Sequence, residues 1–218
     1  MYFHSYTARV VGVVAILGLA AGAQAAVVFN NFGPADAFSD SGRLLQGESV
    51  GTIGNVDQAS SFTVGPDSYF LTSVTLGVFV DTPPNTGTGP LDILVAADAS
   101  GSPGATLRTL PLNVNTTGKQ TVTAPDDGTL TLNANTTYWI IADAKGSFDG
   151  SWNFNSIGDT GLTAGRSDNG PWNLRPNDDR LVMRVEGTIV PEPGSIGLVG
   201  IGILGSIAIA RNRRRVAW

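Results

Sequence analysis

Phe70-Leu71-Thr72-Ser73-Val74-Thr75-Leu76-Gly77-Val78-Phe79-Val80 is the stretch that decides the fold. Val74, Leu76, Val78 and Val80 fall on one side of an extended chain, with Thr72 interrupting the row. Side chains two residues apart share a face of a strand, so this alternation predicts a half-buried strand. The same period recurs on either side. Leu91, Ile93, Val95 and Ala97 alternate with Asp92, Leu94, Ala96 and Asp98. Tyr138, Ile140 and Ala142 alternate with Trp139 and Ile141, and Leu181, Met183 and Val185 with Arg180, Val182 and Arg184. Val27–Phe32 and the Leu130/Leu132 pair read as further strands. Between them lie turn residues: Thr82-Pro83-Pro84-Asn85, Ser100-Gly101-Ser102-Pro103-Gly104, Pro125-Asp126-Asp127-Gly128 and Asp168-Asn169-Gly170-Pro171. No central stretch keeps an apolar spacing of 3.6 over three turns. The expectation is an all-β domain of roughly eight to ten strands, a single antiparallel β-sandwich of jelly-roll type.

Outward from this centre, both ends of the 218-residue chain read as addresses rather than fold. Residues 1–25 have a weakly basic start, an apolar run from Val10 to about Gly22, and Ala23-Gln24-Ala25 as an A-x-A cleavage site. These are the parts of a signal peptide. At the other end, residues 190–218 open with Val190-Pro191-Glu192-Pro193-Gly194 and continue into the uncharged segment 194–210. That segment is at the lower length limit of a transmembrane helix. Arg211, Arg213, Arg214 and Arg215 follow it and predict a cytoplasmic tail by the positive-inside rule. The central domain is then 26–189, large enough to fold without staples.

The Pro-Glu-Pro run, the short apolar stretch and the arginine cluster together resemble the PEP-CTERM sorting signal. The resemblance implies recognition by exosortase, a membrane-embedded transpeptidase-like enzyme of Gram-negative bacteria. It also implies an inner-membrane intermediate followed by delivery to the cell surface or the extracellular matrix, often beside exopolysaccharide and biofilm. The two prolines fit such recognition, because they hold an extended backbone at the membrane face. The centre resembles the choice-of-anchor R family. Ser61-Phe62-Thr63-Val64, Leu71–Leu76, Leu94–Asp98 with Ser100–Gly104, Asn135–Trp139 and Met183–Gly187 carry that resemblance in order. It implies a β-domain that different surface anchors display, and transfers no catalytic residue.

Charge narrows the partners. The chain has 13 Lys and Arg and 18 Asp and Glu; five of the cations but only Glu192 of the acids lie in the two ends. The centre therefore carries eight cations against seventeen acids, a net charge of −9. Such a surface repels nucleic acid. There are no cysteines, and the one histidine, His4, lies in the signal peptide. That removes Ser-His-Asp and Cys-His nucleophiles and the usual zinc sites. No nucleotide-binding glycine pattern is present.

What chemistry remains belongs to carboxylates and aromatics. Asp126, Asp127, Asp178 and Asp179 sit in turn-like segments, and adjacent strand residues point apart, which opposes a glycosidase pair. No enzyme is expected. Calcium takes six to eight oxygens, and Asp143, Asp149, Asp178 and Asp179 are the candidate ligands of a structural Ca2+. Trp139 lies in an alternating strand and reads as core. Trp152 and Trp172 lie in Gly/Asn-rich segments and are candidate glycan contacts, although core packing is the commoner fate of any tryptophan. Two readings follow. One is a non-enzymatic structural or adhesive protein of the envelope or exopolysaccharide matrix. The other is a lectin-like module that binds exopolysaccharide, with or without Ca2+.

Overall fold

The computed structural model describes residues 25–50, 54–81, 87–125 and 130–191. Ala25, Val190 and Pro191 fall inside this set. Ala23, Glu192, Pro193, Gly194, Arg211, Arg213, Arg214 and Arg215 lie outside the described residues, as do the apolar segment 194–210 and two predicted turns at 82–85 and 126–128.

Thirteen strands occur among the described residues: β1 (Ala26–Asn30), β2 (Phe38–Gln46), β3 (Val56–Thr63), β4 (Tyr69–Val80), β5 (Gly89–Asp98), β6 (Pro103–Val114) and β7 (Gly118–Thr123) come first. They are followed by β8 (Thr131–Leu132), β9 (Thr137–Ala144), β10 (Asp149–Asn155), β11 (Thr160–Ser167), β12 (Asn173–Asp179) and β13 (Met183–Ile189). A 3-10 turn at Pro34–Asp36 is the helical element of this set. The strand count exceeds the eight to ten expected, because several strands carry no clean alternation.

The stretch that opened the argument is β4, and it organises one layer. Along one edge it pairs with β13 and then β10; along the other it pairs with β8 and β7. β1 flanks β13. The second layer runs β12, β11, β3, β9, β5, β6. β2 connects the two, pairing along β10 and meeting β3 at Gln46↔Val56. All the pairs are antiparallel, as expected, and because the Gln46↔Val56 bridge joins the two layers the described strands form one curled thirteen-stranded sheet.

The main core fills the space inside the curl. Val74, Leu76 and Val78 of β4, Trp152 of β10 and Val185 of β13 share it with Leu91, Ile93 and Val95 of β5 and Ile140 and Ala142 of β9. β9 (Thr-Tyr-Trp-Ile-Ile-Ala-Asp-Ala) is apolar on both faces, so it needs cover on both. Its reverse face supplies Trp139 and Ile141 to a smaller cluster with Ala59, Ala96 and Ala164, against which Leu94, Leu162 and Trp172 pack. Trp139 is fully buried, as expected, and its Nε1 donates to Asp98 Oδ1 at 2.8 Å.

Turn chemistry fixes two registers. Ser100 and Gly101 join β5 to β6 with φ of 56° and 83°, and the Ala99 N–H donates to Ser102 O at 2.8 Å. Asp168 and Asn169, after β11, have φ of 51° and 56°, with Gly170 N–H donating to Ser167 O at 2.8 Å. Two successive positive φ values make a type I′ turn, whose twist suits antiparallel strands.

Candidate functional site

The tryptophans separate first. Trp152 faces into the main core with no exposed surface, and its Nε1 donates to Val182 O at 2.7 Å. It is therefore not a glycan contact. β10 is paired with β4 on one side and β2 on the other, and its even residues turn inward. The surrounding Gly, Ser and Asn that made it read as a loop belong to a central strand. Trp172 is half-buried in the segment before β12, packed on the smaller cluster, with the Arg166 guanidinium 4.4 Å from its ring centroid.

The four aspartates named as calcium ligands are not brought together. Asp143 lies in β9, paired with Lys145 at 2.6 Å. Asp149 lies in β10 and accepts from Gln46 Nε2 at 3.4 Å. Asp178 lies in β12, where it accepts from Arg43 at 2.8 Å and from Thr163 Oγ1 at 3.0 Å. Asp179, its neighbour, is exposed, as alternation along a strand requires. Among the described residues no three His, Cys, Asp or Glu side chains group so as to hold a metal ion.

A buried, ion-paired polar cluster lies instead around Asp57, which the sequence does not single out. Asp57 of β3 is fully buried; its Oδ2 accepts from Arg166 Nε at 2.8 Å and its Oδ1 from Asn55 Nδ2 at 3.0 Å. The same amide lies 3.5 Å from Asp143 Oδ1. Burial and the neighbouring Asp143 carboxylate push the Asp57 carboxyl up to about 6, against the pull of Arg166. Strand pairing makes the cluster: Asp57 lies opposite Arg166 of β11, and β9 brings Asp143 alongside. No local pattern marks Val56-Asp57-Gln58 as buried, since its polar residues read as surface.

Above the cluster a cleft of about 330 Å³ is lined by Glu48, Asn55, Lys145, Asp168 and Asn169. Glu48 accepts from the Gly146 N–H at 2.9 Å. Backbone N–H groups, its own and that of Gly146, hold its carboxyl below the usual range. Gly54, next to the lining residue Asn55, has φ of 66°, and a Cβ there would lie 1.6 Å from Asp168 Oδ1, so only glycine fits. Asp57 and Asp143 are hydrogen-bonded to one amide and each is held by a cation. A glycosidase needs its two carboxyls roughly 5–10 Å apart with a sugar between them. This pair instead clamps β3, β9 and β11 together.

The tail leaves the domain abruptly. β13 ends at Ile189, the Val190 N–H donates to Ser68 O at 2.9 Å, and Pro191 is exposed. The next residues after the last strand are thus already the Pro-Glu-Pro run, with no spacer.

Residues 190–215 match the family model of the PEP-CTERM protein-sorting motif. No curated protein matches the chain. The chain therefore ends in a sorting signal that directs export and surface delivery through exosortase processing.

Proposed function

We propose that this protein is a non-enzymatic structural and adhesive component of the cell envelope or exopolysaccharide matrix, passing through an inner-membrane intermediate of a Gram-negative bacterium before reaching the surface. The observation that carries this reading is the sorting motif joined without a spacer to an acidic, all-β domain. The absence of His and Cys from residues 26–189 supports a non-catalytic role, as does the use of Asp57 and Asp143 in a clamp. Arg166 and Lys145 already pair with those two carboxylates.

The test is to replace Pro191-Glu192-Pro193 with alanines and follow the protein through membrane and surface fractions. The variant is expected to stall in the inner membrane while its domain stays folded; normal surface delivery would refute the reading. A carbohydrate-binding role for the same domain is the second reading. Its two expected contacts are a core residue, Trp152, and a ring already covered by arginine, Trp172. A different face carries it better.

A further inference from the structure

The geometry points to a sugar-binding groove on the outer face of β2, β10 and β4, shaped for one pyranose ring of an uncharged or amine-bearing polysaccharide. This rests on the surface-protein reading above and names what the surface would hold. Ser151 of β10 lies opposite Leu44 of β2 on one side and Phe79 of β4 on the other. The three side chains form a row across adjacent strands. Leu44 and Phe79 are 42% and 39% exposed and flank Ser151 on the outer face of the paired sheet. They stand two strand spacings apart, roughly 10 Å, as walls on either side of a floor made by Gly150 and Ser151. The groove has a volume of about 260 Å³, and Asp81 and Asp149 close one end.

Each part suits a sugar. Pyranose rings present C–H faces to an aromatic or aliphatic wall, and their hydroxyls donate to carboxylates and to a serine. Gln46, two residues on from Leu44, donates its Nε2 to Asp149 Oδ1 at 3.4 Å and so helps hold that carboxylate at the end of the groove. An added peptide strand does not fit, because Gly150 is already paired to both Val80 and Leu45 and the floor offers no free strand edge. A polyanion does not fit either: the groove ends in carboxylates, on a domain of net charge −9.

Calorimetric titration of the mature full-length protein, in a detergent without a sugar headgroup, tests this. The probes are a cello-oligosaccharide (uncharged), a chitosan oligomer (amine-bearing) and an alginate oligomer (carboxylate-bearing). Saturable binding of one or both of the first two, and none of the third, is expected. Leu44→Ala with Phe79→Ala should weaken it at least tenfold in a protein that circular dichroism still shows to be folded at the temperature of the titration, since each side chain is part-exposed rather than core. No binding of either sugar, binding indifferent to both substitutions, or preference for alginate would overturn the groove. Cells carrying the double variant separate this from the broader reading. If the sugars fail to bind and the variant still sits in the matrix, the groove falls and the structural role stands. If the wild-type protein never reaches the matrix, the broader reading falls, while the titration still decides the groove.

Discussion

At the residue scale, Trp152 and Asp57 show how far side-chain identity can mislead. Gly, Ser and Asn around Trp152 suggest a loop, yet the indole fills the core and its N–H is satisfied by Val182 O. Trp152→Ala is expected to cost about 3–5 kcal/mol in denaturant unfolding, the usual loss for a fully buried aromatic. A loss under 1 kcal/mol would mean that the ring is not packed as described. Asp57 errs the other way, a polar residue at the centre of an ion-paired cluster. Its folded-state carboxyl sits at about 6, above the ordinary 3.8, so the folded protein binds this proton more tightly than the unfolded chain. Its contribution is present in full below pH 3.8 and is lost as pH rises to about 6. Melting temperatures measured across that window should fall with pH in the wild type and fall less in Asp57→Asn. Parallel profiles would show that Asp57 does not titrate there.

At the element scale, legibility followed alternation. β4, β5, β9 and β13 were readable because each has a strictly buried row, and β9 was readable as core on its Trp139 side too. β6 and β12 were not. β6 holds Pro103 and Pro111 and β12 holds Pro176, residues that normally argue against a strand. Each of these strands pairs on one side only, β6 with β5 and β12 with β11, and an edge tolerates a missing N–H. Position in the sheet, which no local window contains, decides whether such a segment is a strand. The same applies to Asp57, Arg166 and Asp143, which meet only through the β9–β3–β11 ladder. Turns were easier, since Ser100-Gly101 and Asp168-Asn169 announce themselves. Gly101, at φ 83°, has only a side-chain carbon at 3.8 Å from an added Cβ, so crowding is not the issue. Gly101→Ala should cost about 1–2 kcal/mol through backbone conformation alone. An unchanged unfolding midpoint would show that the β5–β6 turn relaxes freely.

At the scale of the whole molecule, the ends and the fold divide the work. Among the described residues, the tail touches the domain through the bond between Val190 and Ser68. A chain ending at Val190 should therefore melt within a few degrees of the mature full-length protein, as light scattering and circular dichroism would record. A collapse of the melting temperature would mean that residues beyond Val190 contribute to the core. The address was legible as a motif, because Pro-Glu-Pro, an apolar run and four arginines are contiguous in sequence. The groove was not, because Leu44, Phe79 and Ser151 come from three strands far apart in the chain.

The missing spacer also has a mechanical side. A pull on the tail enters the protein at Ile189, the last residue of β13, and runs along that strand. β13 is held by β1 on one edge and β4 on the other. Antiparallel hydrogen bonds lie across the strand axis, so a load along it strains the whole ladder at once instead of opening it rung by rung. A tether attached here pulls the domain in shear, the loading direction in which a sheet yields last.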